Sequence, residues 1–260
     1  MISFTDIVRC GMLIGSICAT AFWYIFELFW MLYAISASVI YCKWATWNYD
    51  ESHGLMHHIA VANNAICIAR SERVDLHNTV LLTIAALIHD SVDHKYGGSD
   101  YEKEAANAQL VAFLVEIVGT WDAGRIYIWI THSSYSKEKV LAENGLPSKR
   151  TLGVPSSERS YTRILADADR IEAISGDFSD GNAYINRLPM GIERCYQYTK
   201  NAYPQATEYI IWKKVCQHCE DKLCTLDNWI LTTKGKELAQ PGILATKQWY
   251  DHNSPRYRDN

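Results

Sequence analysis

The chain has 260 residues, of which 48% are apolar and 21% are charged. A chain of this length can bury a sufficient core without disulfides, and 14 glycines and six prolines, with no biased tract, exclude a disordered or collagen-like protein. The net charge is −4 and the basic residues are scattered, so we expect no nucleic-acid partner, because such proteins concentrate their cations on one face.

The N-terminal segment is apolar over residues 11–42, where Glu27 is the only charge. A membrane-spanning helix needs about 20 predominantly apolar residues, so the segment predicts one span, most naturally over 22–42. Aromatic residues at both ends are typical of membrane interfaces. Two alternatives remain open, a helix buried in the core and a cleavable signal peptide. We expect residues 1–47 to attach the chain to a membrane and residues 48–260 to form one domain.

The eight cysteines are distributed like buried free thiols, since three of them lie in the apolar N-terminal stretch and Cys67 lies in a helical pattern. We therefore expect the domain to lie in a reducing, cytosol-like compartment. Cys216-x-x-Cys219, with Cys224 nearby, invites a zinc interpretation, but it falls within a predicted helix and has no second paired motif. The spacing does not favour a structural metal there.

The remainder of the chain shows helical spacing without sustained alternation, which predicts an all-α fold. The predicted helices cover residues 55–70, 78–90, 100–118, 122–133, 158–175 and 205–250. Residues 78–90 are apolar on nearly every side, so this helix should be central and buried, with Asn78 as its N-cap. Loops are predicted over 134–156, as a basic lid, and over 176–204.

Three predicted helices each carry a histidine or an aspartate at or near an apolar face. His57 lies on the first, His89 and Asp90 end the second, and Asp167 and Asp169 lie on the third. A buried charge without a partner is costly, and a divalent metal removes that cost because imidazole nitrogens and carboxylate oxygens are its natural ligands. The set predicts one site for Mn²⁺, Fe²⁺, Ni²⁺ or Zn²⁺, although any one histidine alone could be a hydrogen-bonded core residue.

The chain resembles the HD-domain metal-dependent phosphohydrolase superfamily in three successive segments, HGLMHHIAVANNA, ALIHDSVDHKY and ILADADRIEAI. It is most similar to the small stand-alone members that act as nucleotide pyrophosphohydrolases. Two further segments, THSSYSKE and DKLCTLDNWILTTKGKELA, fit the same group. The resemblance covers about residues 48–250. It implies an HD-domain helical bundle, to which this chain adds a hydrophobic N-terminal helical segment.

The resemblance implies four metal ligands, which are His57, His89, Asp90 and Asp169. His53 is the alternative first histidine. Asp167 and Asp169 lie about 200° apart on a helix, so only one of them can face the ion. The family form of alanine, aspartate, any residue, apolar residue, acidic residue and alanine matches Asp169. Manganese is the expected ion.

The implied reaction is hydrolysis by a metal-activated water. Asp93 is the candidate to orient or deprotonate that water, because it lies one helical turn after the His89–Asp90 doublet. Lys95 is the candidate to balance phosphate charge as a point cation. The candidates for completing the phosphate pocket are Ser134, Ser136, Lys137 and Arg170. Taken singly, each of these residues could instead be an ordinary surface residue.

The expected function is that of a metal-dependent phosphohydrolase, with a phosphoanhydride of a nucleoside or deoxynucleoside triphosphate as the favoured substrate. Two alternatives stay open. One keeps the chemistry and takes a nucleoside monophosphate or a cyclic or signalling nucleotide. The other is a non-catalytic module that senses a nucleotide or a metal.

Overall fold

The computed structural model describes residues 4–47, 49, 53–91, 99–145, 152–175 and 187–254, with backbone only over 4–21. Within these ranges the chain is helical and has no strand, which confirms the all-α prediction. The helices are α1 (Phe4–Ala45), α2 (Leu55–Ser71), α3 (Leu76–Ile88), α4 (Asp100–Ser133), α5 (Tyr135–Glu143), α6 (Arg159–Ala173), α7 (Arg187–Ala202), α8 (Glu208–Asp221) and α9 (Thr233–Asn253). A 3₁₀ helix, Leu223–Trp229, joins α8 to α9.

Helix α3 lies at the centre of the bundle, as its composition predicts, and every residue from Val80 to Ile88 is buried. Helices α2 and α6 pack against α3 and against each other, while α1 and α4 cover its remaining sides. The prediction of Asn78 as N-cap is wrong. Asp75 caps the helix and accepts a hydrogen bond from the Asn78 backbone nitrogen at 2.9 Å, since it precedes the first turn in extended conformation.

Helix α4 contains both predicted helices, 100–118 and 122–133, joined across a kink at Gly119. This glycine has φ 79° and ψ 164°, a conformation that other residues rarely adopt. Ser99 precedes the helix and forms a capping box with Glu102. The backbone N–H groups of both residues therefore have side-chain acceptors.

The two predicted loops contain helices that the sequence analysis missed. Within 134–156 the chain forms α5 before the described backbone stops at Gly145. Within 176–204 it forms α7, whose Pro189 lies in the first turn, where a missing N–H costs no helical hydrogen bond. Residues 176–186 lie outside the described part of the chain.

Helix α1 has two halves with different surroundings. From Phe22 to Phe29 its large apolar side chains are exposed, with Trp23 at 66% and Phe29 at 68%. From Trp30 onward one face packs on α3 and α4, where the Trp30 indole donates to the Ile117 carbonyl at 3.0 Å. One helix is thus long and apolar enough to span a membrane, while its second half shares a core with the domain predicted over 48–260.

Candidate metal centre

Helices α2, α3 and α6 bring four predicted ligands to one point of the bundle. His57 lies in the first turns of α2, and His89 and Asp90 come directly after the last residue of α3. Asp169 lies in the second half of α6. Because α2 and α6 both pack on α3, residues that are 112 positions apart in sequence, His57 and Asp169, become neighbours.

The approaching atoms are two imidazole nitrogens and two carboxylate oxygens. The Nε2 atoms of His57 and His89 lie 3.3 Å apart. Asp90 Oδ2 is 3.5 Å from each of these nitrogens. Asp169 Oδ1 is 3.5 Å from His89 Nε2 and 3.8 Å from His57 Nε2. Two ligand atoms at about 2.1 Å from one ion lie about 3 to 3.4 Å apart, so the cluster has the right scale for a shared metal.

The hydrogen bonds of the two Nδ1 atoms determine which tautomer His57 and His89 adopt. His57 Nδ1 lies 2.7 Å from Glu172 Oε2, and His89 Nδ1 lies 2.8 Å from the Ala86 carbonyl oxygen. A carboxylate and a carbonyl can only accept, so both Nδ1 atoms donate. In the neutral rings both Nε2 atoms then carry lone pairs. With both rings neutral, the four atoms are all acceptors, so the cluster needs a cation, either a metal ion or protons on the imidazoles.

The electrostatics of the cluster favour positive charge. Burial lowers the pKa of His89, but the carboxylates of Asp90 and Asp169 outweigh burial and raise it to about 10. Burial raises the pKa of Asp90, yet His89 and His57 hold it well below its usual range. Without a metal, protons would supply the charge that the carboxylates demand, and a divalent ion would displace them.

A second layer of charged groups surrounds the cluster. Glu172 is buried and uses the same Oε2 atom to accept from His57 Nδ1 and from Arg187 Nε, the latter at 3.1 Å. This carboxylate–histidine pair is the arrangement that orients ligating histidines in metal sites. His53 is also buried and lies 2.6 Å from Arg194 Nη1. Burial, together with Arg187 and Arg194, lowers its pKa to about 3, so His53 is neutral.

A cavity of about 340 Å³ opens beside the cluster. One wall carries His89, Asp90 and Asp169. Four cationic residues also line it, Arg170, Arg187, Arg194 and Lys222. The lining thus combines acceptors for a cation with donors for an anion, which suits a metal-bound phosphate.

The structure places the two aspartates of α6 in different environments. Asp169 faces the histidines. Asp167 is fully buried on the other side, where its Oδ2 accepts from the backbone nitrogens of Leu231 at 2.9 Å and Thr232 at 2.7 Å. It therefore holds the start of α9 and cannot reach the cluster.

Three of the four residues predicted to complete the phosphate pocket line the cavity. Ser134 and Ser136 line the cavity. Arg170 also lines it but is 1% exposed, and its guanidinium donates to Glu138 at 2.6 Å and to the Trp229 carbonyl at 3.2 Å. An anion would have to compete with Glu138 for this arginine. The side chain of Lys137, and the whole of Asp93 and Lys95, lie outside the described residues.

His58, the residue after His57 on α2, is completely buried. Its ring centroid lies 5.2 Å from that of His57 and 4.9 Å from that of His89. Burial, followed by the neighbouring histidines, lowers its pKa well below the ordinary value, so the ring is neutral. It packs against the back of the two histidines that face the cluster.

Sequence reasoning missed the roles of Glu172, Arg187, Arg194 and Lys222. Glu172 could have been found, because it lies three residues after Asp169 and therefore on nearly the same helical face. Arg187 begins α7 and Arg194 lies in the middle of it, in a segment that the sequence analysis assigned to loop. Lys222 lies in the segment DKLCTLDNWILTTKGKELA, but the resemblance of that segment assigned it no role.

No family model matches the chain, and neither does any curated protein. Several solved structures have a similar fold. Bacillus subtilis YpgQ in complex with ADP is 21% identical, and the match covers 86% of this chain and 94% of that chain with a TM-score of 0.54. A Lactobacillus plantarum structural genomics target is 19% identical over 86% and 96% of the two chains, with a TM-score of 0.59. At these identities the similarity establishes the fold alone.

Proposed function

We propose that this chain is a metal-dependent phosphohydrolase of the HD superfamily, with a nucleoside or deoxynucleoside triphosphate as the favoured substrate and Mn²⁺ as the favoured ion. The observation that carries the proposal is the cavity, which is lined by His89, Asp90 and Asp169 of the four-acceptor cluster and by several cationic residues. The motif resemblance supports the superfamily. The ADP complex of the similarly folded YpgQ supports a nucleotide.

Each residue of the site has a proposed role in metal binding, phosphate binding or activation of water. His57, His89, Asp90 and Asp169 would hold the ion, which when bound supplies Lewis acidity and an acidified water. Glu172 keeps the His57 lone pair directed at the ion through its hydrogen bond to Nδ1. Lys222, at the cavity wall, attracts the phosphates as a point charge. Asp93 remains the predicted base for the attacking water.

The test is a nucleotide panel assayed with the full chain in detergent, after chelation and then with Mn²⁺ restored. We expect triphosphates to yield monophosphate and pyrophosphate only when the ion is present. Release of phosphate from nucleoside monophosphates would show that they, and not triphosphates, are the substrates. Binding without release of either product would show a non-catalytic sensing module instead.

A pair of lysine variants tests the cavity directly. Lys222→Met should raise KM about tenfold or more, because it removes a cation from the lining of the proposed phosphate site. Lys214→Met is the matched control, since Lys214 lies on α8 with its ammonium over the Tyr203 ring at 4.3 Å. Equal KM values in the two variants would remove Lys222 from the binding site.

We also propose that the first part of α1 attaches the chain to a membrane and that the domain lies in a reducing, cytosol-like compartment. Support for the attachment comes from the exposed apolar side chains between Phe22 and Phe29. A chain starting at Trp30 should lose liposome binding yet keep its fold, because the docked half of α1 remains. A chain starting at Asn48 should lose thermal stability as well. Liposome binding by the chain that starts at Trp30 would contradict this attachment.

A further inference from the structure

Two cysteines outside the metal cluster lie close enough to react with each other. Cys219 is in the last turn of α8 and Cys224 is in the 3₁₀ helix Leu223–Trp229. Their sulfur atoms are 4.0 Å apart and share a hydrogen bond. Cys219 is 1% exposed, whereas Cys224 is partly exposed at the surface.

The two thiols differ in acidity as well as in exposure. The hydrogen bond from Cys219 lowers the pKa of Cys224, and the nearby Lys247 adds to this effect. The same hydrogen bond, with burial, raises the pKa of Cys219. Cys224 is therefore the accessible thiol that ionises more readily, and Cys219 is a buried thiol directly behind it.

A metal is a poor explanation for this pair. A structural zinc site needs four ligands in contact with one ion, commonly cysteines and histidines. In the described part of the chain, no third cysteine, histidine or carboxylate joins Cys219 and Cys224 at ligand spacing. The chemistry available to two adjacent thiols is disulfide formation.

We propose that Cys219 and Cys224 are a reversible thiol–disulfide pair that responds to a peroxide. The Cys224 thiolate attacks the peroxide oxygen, which forms a sulfenic acid and releases hydroxide. The Cys219 sulfur then displaces the sulfenic oxygen, which forms the S–S bond and releases water. Two electrons pass from the thiols to the peroxide, and a small dithiol reductant restores both thiols. Such transient disulfides occur in reducing compartments.

Oxidation should reach the cavity through Lys222, which lies between the two cysteines in sequence and lines the cavity wall. Its ammonium lies 5.5 Å from the centre of the Tyr135 ring, which lines the same cavity. The sulfurs must close from 4.0 Å to about 2.05 Å, so the turn that carries Lys222 has to move. This consequence rests on the proposed function, whereas the disulfide itself does not.

The experiment treats the full chain in detergent with one equivalent of hydrogen peroxide, alkylates the remaining thiols and maps the peptides by mass spectrometry. We expect a Cys219–Cys224 linkage that has lost two hydrogen atoms and that dithiothreitol reverses. Cys224→Ser, at the partly exposed position, should prevent the linkage. Cys216→Ser, on the same helix, and the exposed Cys67→Ser are controls that should leave it unchanged. Continued alkylation of Cys219 and Cys224 after oxidation, or linkage of Cys219 to Cys216, would overturn the proposal.

The nucleotide KM of the oxidised and reduced forms provides the second readout. We expect oxidation to raise KM about tenfold, as for a weakened charge-assisted contact, and Cys224→Ser to abolish that rise. A mapped disulfide with unchanged KM would refute the coupling to the cavity. If neither form turns over any nucleotide, the proposed function fails. The peptide map still tests whether Cys219 and Cys224 form a disulfide.

Discussion

Two polar clusters in this fold, both partly buried, are built on opposite principles. In the first, around Arg125, every acceptor meets a donor. The guanidinium donates to both oxygens of Glu158 at 3.2 Å, to Asp122 at 3.0 Å and to Asn78 at 2.7 Å. In the second, around His57 and its three partners, four acceptors point at one another.

This difference separates a structural network from the proposed binding site. Burying a polar group without a partner is costly, so a native fold satisfies such groups or reserves them for a ligand. The Arg125 cluster is complete and needs nothing further. The acceptors around His57 are satisfied only when a positive charge is added. For this reason we assign the proposed function to this cluster and not to the Arg125 cluster.

The largest expected effect comes from removing one converging nitrogen. His89→Ala should abolish metal binding and lower turnover about a thousandfold or more, since the ion supplies several kcal/mol of transition-state stabilisation. Elemental analysis and turnover report the two losses. His77→Ala is the matched control on the same helix, because His77 bonds Asp122 at 3.0 Å and lies outside the cluster. A metal-loaded His89→Ala protein would contradict the assignment.

The two aspartates of α6 make a sharper comparison. Asp169→Asn should release the metal with little change in the free energy of unfolding. Asp167→Asn should keep the metal but destabilise the fold by about 1–3 kcal/mol. The amide that replaces the carboxylate is a weaker acceptor for the backbone N–H groups at the start of α9. Metal content and urea denaturation distinguish them. The reverse pattern would exchange their roles.

The Arg125 cluster should respond only in stability. Arg125→Met should lower the free energy of unfolding by about 1–3 kcal/mol, because Glu158 and Asp122 lose their common donor at a partly exposed site. Its affinity for Mn²⁺, measured by calorimetry, should match that of the unmodified chain. A large loss of affinity would mean that the two clusters are coupled.

A smaller effect is expected beyond the ligands themselves. Glu172→Gln removes the charge that supports His57 and Arg187, while an amide oxygen can still accept a hydrogen bond. Metal affinity should fall about 10–100-fold with the fold retained, as for other groups that orient ligating histidines. Glu138→Gln, which faces Arg170 instead, is the control. Unchanged affinity in Glu172→Gln would limit its role to packing.

The last expected effect is a pH dependence of the stability of the metal-free chain. The folded-state pKa of His89 is about 10 against an ordinary 6.5, so its protonation stabilises the fold fully below pH 6.5. That stability is lost as the pH rises from 6.5 towards 10. With the ion bound, the nitrogens hold no proton and the loss should disappear. Urea denaturation with and without Mn²⁺ tests this, and identical profiles would contradict it.

The sequence predicted what depends on local pattern. Helical spacing gave the all-α fold and the central position of α3, and the motif around Asp169 chose it over Asp167. It could not predict that His57 Nδ1 meets Glu172, 115 residues away, because that contact depends on how α2 and α6 pack. Nor could it predict that α1 docks on the bundle, since a helix that is apolar on all sides does not show which face is covered.

The most direct test of the account is the metal stoichiometry of the full chain after equilibrium dialysis against Mn²⁺. Elemental analysis should find one ion per chain, lost together with the ability to release pyrophosphate when a chelator is added and regained with it when Mn²⁺ is restored. A chain that retains no ion, or one that releases pyrophosphate equally well without it, would contradict the central claim that these four acceptors exist to hold a cation.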